Sequence, residues 1–345
     1  MQSRHNLISD KNGNEKKILG IWNIDVSPLT LGGLILFIEE LQIQQIIHKI
    51  DSVELCILGK DIQTARSYPV SHFGNIPSEL AGNCDANIIK QVSTIPIIRD
   101  FSNISRCYLV SSYKEFQRVF NKKHNSYILW PDIKAKKNDD YKYSNTQYTQ
   151  QFFLDNGYIP YPKCKGDSLN WAKQFLNKNV LPAVMVVIHL KNNQNAKNCS
   201  NADFDAWYGF FKHYTEKTDT KFILIGNEPI DSRILTLPNV IVTRNYESTL
   251  SRDLALISQA AIFMGMSSGP CNIAVLSEIP FIIYKNPDHD VEEMKLELGK
   301  NIRFPFSTGS QKFLRIFETV ENLIQEFDET YSGLIMKKGK PATAE

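Results

Sequence analysis

The sequence predicts an α/β protein built from two Rossmann-like domains. Short apolar runs of strand length alternate with segments that repeat apolar residues at helical spacing, near the amino terminus and again after residue 180. A stretch rich in glycine, proline and aromatic residues, 152–165, separates the two series. The length of 345 residues exceeds the usual size of one hydrophobic core. We therefore expect domains at 17–160 and 161–330, a disordered tail at 1–16 and a second tail at 331–345.

The composition indicates a globular cytoplasmic protein. Hydrophobic residues make up 42% of the chain and charged residues 22%. The net charge of +2 is too small to argue for nucleic-acid binding, although it allows loose association with the inner face of an anionic membrane. The six cysteines form no C-x-x-C pair, which favours reduced thiols. The first residues lack the apolar core of a signal peptide, and no apolar run approaches the length of a membrane span.

The amino-terminal half begins with a strand–loop–helix–strand unit. The apolar run Lys17–Asn23 predicts a buried strand, and the segment Asp25–Gly33 a loop. Leu34–Ile50 repeats apolar residues at helical spacing, and Val53–Leu58 predicts the second strand. This order is a βαβ unit, so the sheet should be parallel and the connection right-handed.

The middle of this half carries weaker patterns. We expect a helix end, a strand, a helix and a further strand at Asn87–Gln91, Ile95–Ile98, Ser111–Phe120 and Ser126–Trp130. The polar segment 134–151 is typical of a solvated loop. Its Asp139–Asp140 pair is expected to be solvated rather than to hold a metal.

The carboxyl-terminal half repeats the alternation of strands and helices. Ala183–Leu190, rich in valine and isoleucine, has the strongest strand pattern in the chain. The other elements that we expect here are helices at Ser168–Leu176, Phe204–Thr215 and Gln311–Phe327, and strands at Lys221–Ile225 and Asn239–Thr243.

The most informative stretch is Leu254–Lys285. It predicts a helix, a buried strand at Ala261–Met264, a break at Gly265, a turn, a helix at Asn272–Ser277 and a strand at Phe281–Tyr284. Helix N–H groups, hydroxyls and a glycine at such a turn, here Ser267, Ser268 and Gly269, would suit a phosphate. An ordinary strand-to-helix turn capped by Ser267 or Ser268 fits the spacing equally well.

This stretch also matches a known pattern, G-x-x-S/T-G-P, followed by a helix and x-P before a strand. Gly265, Ser268, Gly269 and Pro270 carry the first part, and Pro280 the last. The run resembles the nucleotide-sugar-binding half of heptosyltransferase-like enzymes of the GT-B fold and, more distantly, bacterial fucosyltransferase-like ones. The resemblance covers mainly 181–327. It implies an α/β protein with two Rossmann-like domains facing a cleft, a donor site in the second domain, and neither a metal nor a cofactor.

Within the resembled half, several residues are candidates for donor binding. His189 and Lys191 end the Ala183 strand, as in the strand ends of GT-B transferases that hold a diphosphate, although lysine replaces the common arginine. Asn227 and Glu228 lie in the loop that resembles the one meeting the nucleobase and ribose. The full candidate set is His189, Lys191, Asn227, Glu228, Ser267, Ser268, Gly269 and Asn272. A structural histidine and an ordinary G-N-E-P turn are the alternatives for the first two sites.

Two further patterns concern metal binding and the general base. Asp288–Asp290 has metal-like spacing, but Asp290 followed by Glu293 favours a capping box. Direct displacement at a sugar needs a general base, and heptosyltransferase-like enzymes place an aspartate in an L-G-D run. Leu31–Gly33 reads L-G-G here, so that carboxylate is missing. Asp25, Asp100 and Asp132 follow predicted strands and are the candidate replacements, with Asp25 ranked first.

The resemblance therefore implies an inverting, metal-independent glycosyltransferase. Its expected partners are a nucleotide-diphosphate sugar and a glycan or glycolipid acceptor of bacterial surface polysaccharide, lipopolysaccharide or capsule. Nucleotide-sugar epimerases and hydrolases share the architecture and stay open as alternatives. A non-catalytic sugar-nucleotide or glycan-binding subunit is the third reading, and the missing L-G-D carboxylate favours it slightly.

Overall fold

The chain folds into two compact units that meet in sequence between Lys163 and Cys164. The computed structural model describes residues 16–60, 62, 66–69, 94, 96–120, 126–132, 143, 145–193, 200–217 and 219–338. Each unit contains one sheet with helices, so the predicted α/β class with two Rossmann-like sheets is confirmed.

The first unit is built on a five-stranded sheet of order β3-β4-β2-β1-β5. Its strands are β1 Lys17–Asn23, β2 Val53–Leu58, β3 Arg66–Pro69, β4 Ile104–Val110 and β5 Tyr127–Trp130. All neighbours are parallel except the edge strand β3, which runs antiparallel to β4. The described helices are α1 Leu31–His48, α2 Ile97–Phe101, α3 Tyr113–Phe120 and α4 Gln147–Asn156.

Helix α1 begins earlier than the sequence pattern predicts. The Thr30 hydroxyl accepts the Gly33 N–H at 3.1 Å, which satisfies one of the free donors of the first turn. Both glycines of the Leu31–Gly33 run are therefore helical rather than part of a loop. Lys49 ends the helix in the left-handed conformation.

Three expectations for this unit are wrong. The run predicted as a strand at Ile95–Ile98 lies where helix α2 begins. Strands β3 and β4 were not predicted. Helix α4 includes the end of the predicted polar loop 134–151 and the beginning of the predicted connector 152–165. The predicted helix end at Asn87–Gln91 and the Asp139–Asp140 pair lie outside the described residues.

The second unit contains a six-stranded, all-parallel sheet of order β11-β10-β9-β6-β7-β8. Its strands are β6 Val184–His189, β7 Thr220–Leu224, β8 Val240–Val242, β9 Ile262–Met266, β10 Phe281–Tyr284 and β11 Gln311–Leu314. Its described helices are α5 Gly166–Asn179, α6 Phe204–His213, α7 Ser232–Leu235, α8 Leu250–Ile257, α9 Cys271–Val275, α10 Val291–Glu297 and α11 Val320–Lys338.

The core of this unit is aromatic. Helix α6 contributes Trp207, Phe210 and Phe211, all fully buried, and the ring of Phe210 lies 5.2 Å from that of Phe222 and 5.7 Å from that of Phe327. The helix predicted at Gln311–Phe327 is wrong, because its first residues form β11 and α11 starts only at Val320. Helix α11 continues to Lys338, into the segment predicted as a tail.

Helix α1 buries a carboxyl group that the sequence did not single out. Glu39 is fully buried, and neither of its oxygens has a hydrogen-bond partner in the described part of the chain. Burial, and then the charge of Glu40, raise the pKa of Glu39 well above its ordinary value.

We expect Glu39→Gln to stabilise the protein at neutral pH and not at acid pH. Because the folded pKa of Glu39 is raised, its contribution to stability is fully present below the unfolded pKa and is lost as pH rises through the folded pKa. Glutamine has nearly the same shape and does not titrate. The free energy of unfolding in urea should therefore be equal for both proteins near pH 4. At a pH above the folded pKa of Glu39, it should favour the variant by about 1.4 kcal/mol for each unit by which the folded pKa exceeds the unfolded pKa. A difference that stays constant with pH would contradict this.

Candidate functional site

The carboxyl edge of the second sheet brings together residues that are distant in the sequence. β6 pairs with β9 on one side and with β7 on the other. From β6 the chain first adds β7 and β8 on one side of the sheet and then β9, β10 and β11 on the other side. β6 is therefore at the topological switch point of the sheet. Ligands of open parallel sheets bind in the crevice at such a point.

His189 is the centre of a hydrogen-bonded relay at this edge. Its Nδ1 lies 2.9 Å from Ser268 Oγ, at the end of β9, and its Nε2 lies 3.2 Å from Glu228 Oε1, after β7. Burial acts to raise the pKa of Glu228, but the hydrogen bond and charge of His189, with the backbone N–H of Asn227 and Glu228, lower it below the ordinary value. Glu228 is therefore ionised and can only accept, so the Nε2–H of His189 donates a hydrogen bond to Glu228 Oε1. The Ser268 hydroxyl is the partner of the other ring nitrogen, Nδ1.

Two glycines allow this relay to form. At Gly265, with a φ of +143°, a Cβ would lie 2.3 Å from the carbonyl oxygen of His189. At Gly226, with a φ of +94°, a Cβ would lie 2.4 Å from Glu228 Oε2 and 3.1 Å from the His189 ring. Both positions have backbone conformations that glycine adopts readily and other residues rarely. The close approach of β6, β7 and β9 at the relay thus depends on the absence of a side chain at Gly226 and at Gly265.

A buried aspartate holds the loop that follows β7 in place. Asp253, in α8, accepts the N–H of Gly226 at 2.9 Å and the hydroxyl of Ser248. Burial raises the pKa of Asp253, although these two hydrogen bonds act in the opposite direction. Arg244 adds a second support, because its Nη1 donates to the carbonyl oxygen of Glu228 at 3.0 Å.

The turn Ser267–Gly269 differs from the expected phosphate-binding turn. Helix α9 has only five residues, and the N–H groups of Cys271 and Asn272 already donate to the carbonyls of Ser268 and Gly269. The expectation that the first N–H groups of this helix are free is therefore wrong for these two donors. Capping by Ser267 or Ser268 is also wrong, since Pro270 is the N-cap without a side-chain hydrogen bond, and Ser268 contacts His189 instead.

Positive charge at this edge comes from side chains after β6, β10 and β11. Lys285, buried directly after β10, contacts Asp290 at 2.7 Å. Burial, together with the charges of Lys285, Lys191 and Arg315, lowers the pKa of His289, and Asp290 opposes them. Three cations thus act on the region around His289.

The expected capping box at Asp290 is not formed. Asp290 precedes α10 in the left-handed conformation and makes no side-chain cap hydrogen bond. Arg315 instead fixes the preceding loop by donating to the carbonyl oxygens of Pro287 and His289. Lys285, Arg315 and Arg244 were missed by the sequence analysis. A lysine directly after a buried strand was the available signal for Lys285.

The first unit places two of the three candidate aspartates at one edge. Asp25 follows β1 and is exposed, and its Oδ2 accepts the N–H of Lys60 at 2.9 Å. Asp132 is exposed after β5, the parallel neighbour of β1, so both lie at the carboxyl edge where that sheet has its own switch point. Asp100 does not join them. It precedes β4, is buried in α2 and is paired with Arg99 at 3.0 Å.

No group of three or more histidine, cysteine or carboxylate side chains among the described residues could hold a metal ion. Helices long and apolar enough to cross a membrane are likewise absent from the described parts of the chain.

Comparison with solved structures identifies the fold. No protein-family model matches the sequence, and no curated protein matches it. The structure aligns with that of ADP-heptose LPS heptosyltransferase II of Escherichia coli over 94% of this chain and 100% of that chain, at 9% identity and a TM-score of 0.52. A family 9 glycosyl transferase of Veillonella parvula aligns over 95% and 90%, at 9% identity and a TM-score of 0.50. The resemblance to heptosyltransferase-like proteins is thus confirmed as a likeness of fold, and the chain has the α/β architecture of these GT-B glycosyltransferases.

Proposed function

We propose that this protein is a glycosyltransferase that binds a nucleotide-diphosphate sugar at the carboxyl edge of its second sheet. The observation that carries the proposal is the relay Ser268–His189–Glu228 at the switch point between β6, β7 and β9. The proposed donor residues are those expected from the sequence, with Lys285 added. ADP-heptose, named for the Escherichia coli neighbour, is the first donor to test.

The charges support a role in diphosphate binding. A nucleotide sugar carries negative charge on its diphosphate, and more develops on the leaving diphosphate as the glycosidic bond breaks. Lys191 follows β6, and its charge acts on His289 and Asp290, as does that of Lys285. These cations can compensate the leaving group, and we propose that the reaction needs no metal ion or cofactor.

Glu228 has a different place in the proposal. Its carboxylate is ionised next to His189, and its loop resembles the one that meets the ribose. A carboxylate oxygen accepts hydrogen bonds from the two ribose hydroxyls, as an ionised carboxylate can only accept. Asn227, exposed in the same loop, is proposed to contact the nucleoside.

For the acceptor, we propose that an aspartate of the first unit removes the proton from the attacking hydroxyl. Asp25 and Asp132 are exposed at the switch point of that sheet, whereas Asp100 is buried and paired. One displacement with one base inverts the configuration at the anomeric carbon. The proposed acceptor is a glycan or glycolipid of bacterial surface polysaccharide, reached by a cytoplasmic enzyme that associates peripherally with the membrane.

The test measures turnover of labelled ADP-heptose, and of ADP-, UDP- and GDP-hexoses, with and without a deacylated lipopolysaccharide core acceptor. Acceptor-dependent transfer that persists in EDTA is expected. Release of free sugar without acceptor would indicate a hydrolase, and a changed sugar on the nucleotide an epimerase. Binding without turnover would indicate a non-catalytic subunit. Lys191→Ala should weaken donor binding by at least about tenfold, since a charge-assisted hydrogen bond is worth roughly 1.5–3 kcal/mol.

We expect His189→Gln to weaken donor binding. His189 contacts Ser268 Oγ through Nδ1 and Glu228 Oε1 through Nε2, so it holds two of the proposed donor residues in place. Affinity for a nucleotide sugar should therefore fall in the variant.

Calorimetry with the nucleotide sugar measures this loss. His213→Gln, at an exposed histidine on α6, should leave the affinity unchanged. An affinity that is unchanged in His189→Gln would exclude a role of His189 in donor binding.

A further inference from the structure

A cavity of about 690 Å³ lies in the second unit, away from the candidate donor site. Pro280 and Ser310, which line it, directly precede β10 and β11. Since these strands are parallel, the cavity is at the amino edge of the sheet, opposite the edge that carries His189 and Lys285. The other wall is one face of α11, formed by Thr330, Gly333 and Leu334 at helical spacing.

The cavity is large enough for an organic molecule. Its volume falls within the range of about 300–1,000 Å³ that is typical of small-molecule sites. Two of its lining residues are glycines, Gly309 and Gly333, and a Cβ at either would meet no atom within 4 Å. The space beside them is therefore open, and Gly333 in particular is a position where a larger side chain would enter the cavity.

A fixed cation borders this space. Arg303 donates from Nε to the carbonyl oxygen of Gln311 at 3.1 Å and from Nη2 to that of Gly309 at 2.9 Å. Both acceptors are neutral, and no described carboxylate forms an ion pair with Arg303. The guanidinium is thus held in place while its charge stays uncompensated, and a guanidinium binds carboxylates well.

The acidic group at the cavity is held by a lysine. Lys312 contacts Glu326 at 2.6 Å and Glu329 at 2.7 Å. Burial acts to lower the pKa of Lys312, but these two hydrogen bonds raise it above its ordinary value. Glu329 is therefore directed toward Lys312 and forms no ion pair with Arg303 among the described residues.

The rest of the wall is apolar. Leu334 and Pro280 provide the apolar surface on either side. Thr330 also lines the cavity, but its Oγ1 is fully buried and does not face the open space.

We propose that this cavity binds a small organic acid, with its carboxylate at Arg303 and its apolar body between Pro280 and Leu334. This inference does not rest on the proposed glycosyl transfer, because it uses the opposite edge of the sheet. The ligand class follows from a guanidinium that is fixed by two neutral carbonyl oxygens and from the apolar walls.

The test uses octanoate as the probe and the full chain, with binding followed by ligand-observed NMR and calorimetry. Octanol, which has the same chain without the charge, and inorganic phosphate, which has charge without the chain, are the matched probes. Octanoate is expected to bind at least about tenfold more tightly than either, since a charge-assisted bond is worth roughly 1.5–3 kcal/mol. Equal binding of octanol or of phosphate would overturn the proposed ligand class.

Two variants place the probe in this cavity. Gly333→Phe should fill the space and abolish octanoate binding, while Ser332→Phe, exposed on the next position of α11, should leave it unchanged. Arg303→Gln removes the positive charge, and should weaken octanoate binding at least about tenfold in a folded protein. Octanoate that fails to bind the wild type, or that binds Gly333→Phe as well as the wild type, would overturn the proposal.

Discussion

We expect Asp25→Asn to lower the rate of sugar transfer by about a hundredfold or more, with donor affinity little changed. Asparagine keeps the shape of the side chain, and its amide oxygen can still accept the N–H of Lys60, so the loop after β1 should keep its conformation. What is lost is the negative charge that accepts a proton from the acceptor hydroxyl. The kcat with saturating acceptor, measured beside calorimetry with the donor, separates these effects.

Two matched variants decide among the candidate bases. Asp132→Asn tests the other exposed aspartate at the same sheet edge. Asp100→Asn should change stability rather than kcat, because Asp100 is buried and paired with Arg99. If Asp132→Asn removes activity and Asp25→Asn does not, the role of base belongs to Asp132. If both exposed variants stay active, no aspartate of this edge is the base, and the hydrolase and binding readings gain support.

We expect Gly265→Ala to destabilise the second unit by roughly 2–6 kcal/mol, adding the strain of a disfavoured φ to the cost of overpacking. The new Cβ would lie 2.3 Å from the carbonyl oxygen of His189, a backbone atom that cannot move without separating β9 from β6. Urea unfolding followed by circular dichroism should show the loss.

Gly309→Ala is the matched control for this prediction. A Cβ at Gly309 would meet no atom within 4 Å, so the change in unfolding free energy should stay within about 0.5 kcal/mol. Equal unfolding midpoints for Gly265→Ala and the wild type would show that the sheet accommodates a side chain there.

The parts of the fold that the sequence predicted well are those buried on both faces. The strands expected at Lys17–Asn23, Val53–Leu58 and Phe281–Tyr284 have these same bounds in the structure. Helices cover both faces of such strands, and their sequences are continuous apolar runs that few other structures produce.

The missed strands lack this signal for identifiable reasons. In β4, the first residue Ile104 is followed by Ser105 and Arg106, which are exposed and half-buried, so the apolar run of this strand is interrupted. β11 has only four residues, and its Phe313 is in phase with the apolar positions of α11, which made the whole region look helical. Gln311, fully buried, donates its amide to the carbonyls of Ser277 and Ile279, a contact that no local pattern shows.

The sequence placed the candidate residues at strand ends, but it did not predict the contacts between them. Strand ends identified His189 and Ser268 separately, but their contact depends on the pairing of β6 with β9. Arg315 could not be found in this way, because β11 was assigned to a helix and its end was hidden. The free helix N–H groups expected at the turn were a local inference, which the short length of α9 overturned.

The pairing of β6 also sets the order in which the site can assemble during folding. Pairing Ile188 with Leu224 closes a loop of 36 residues, whereas pairing His189 with Gly265 closes one of 76. Loop-closure entropy makes the longer loop costlier by about 0.7 kcal/mol, so β6 and β7 have the advantage in pairing first. The Glu228 side of the relay can then form early, and the Ser268 side only after β8, α8 and β9 have been added. Recovery of nucleotide-sugar binding during refolding would therefore follow the late closure of the β6–β9 ladder rather than the early formation of secondary structure.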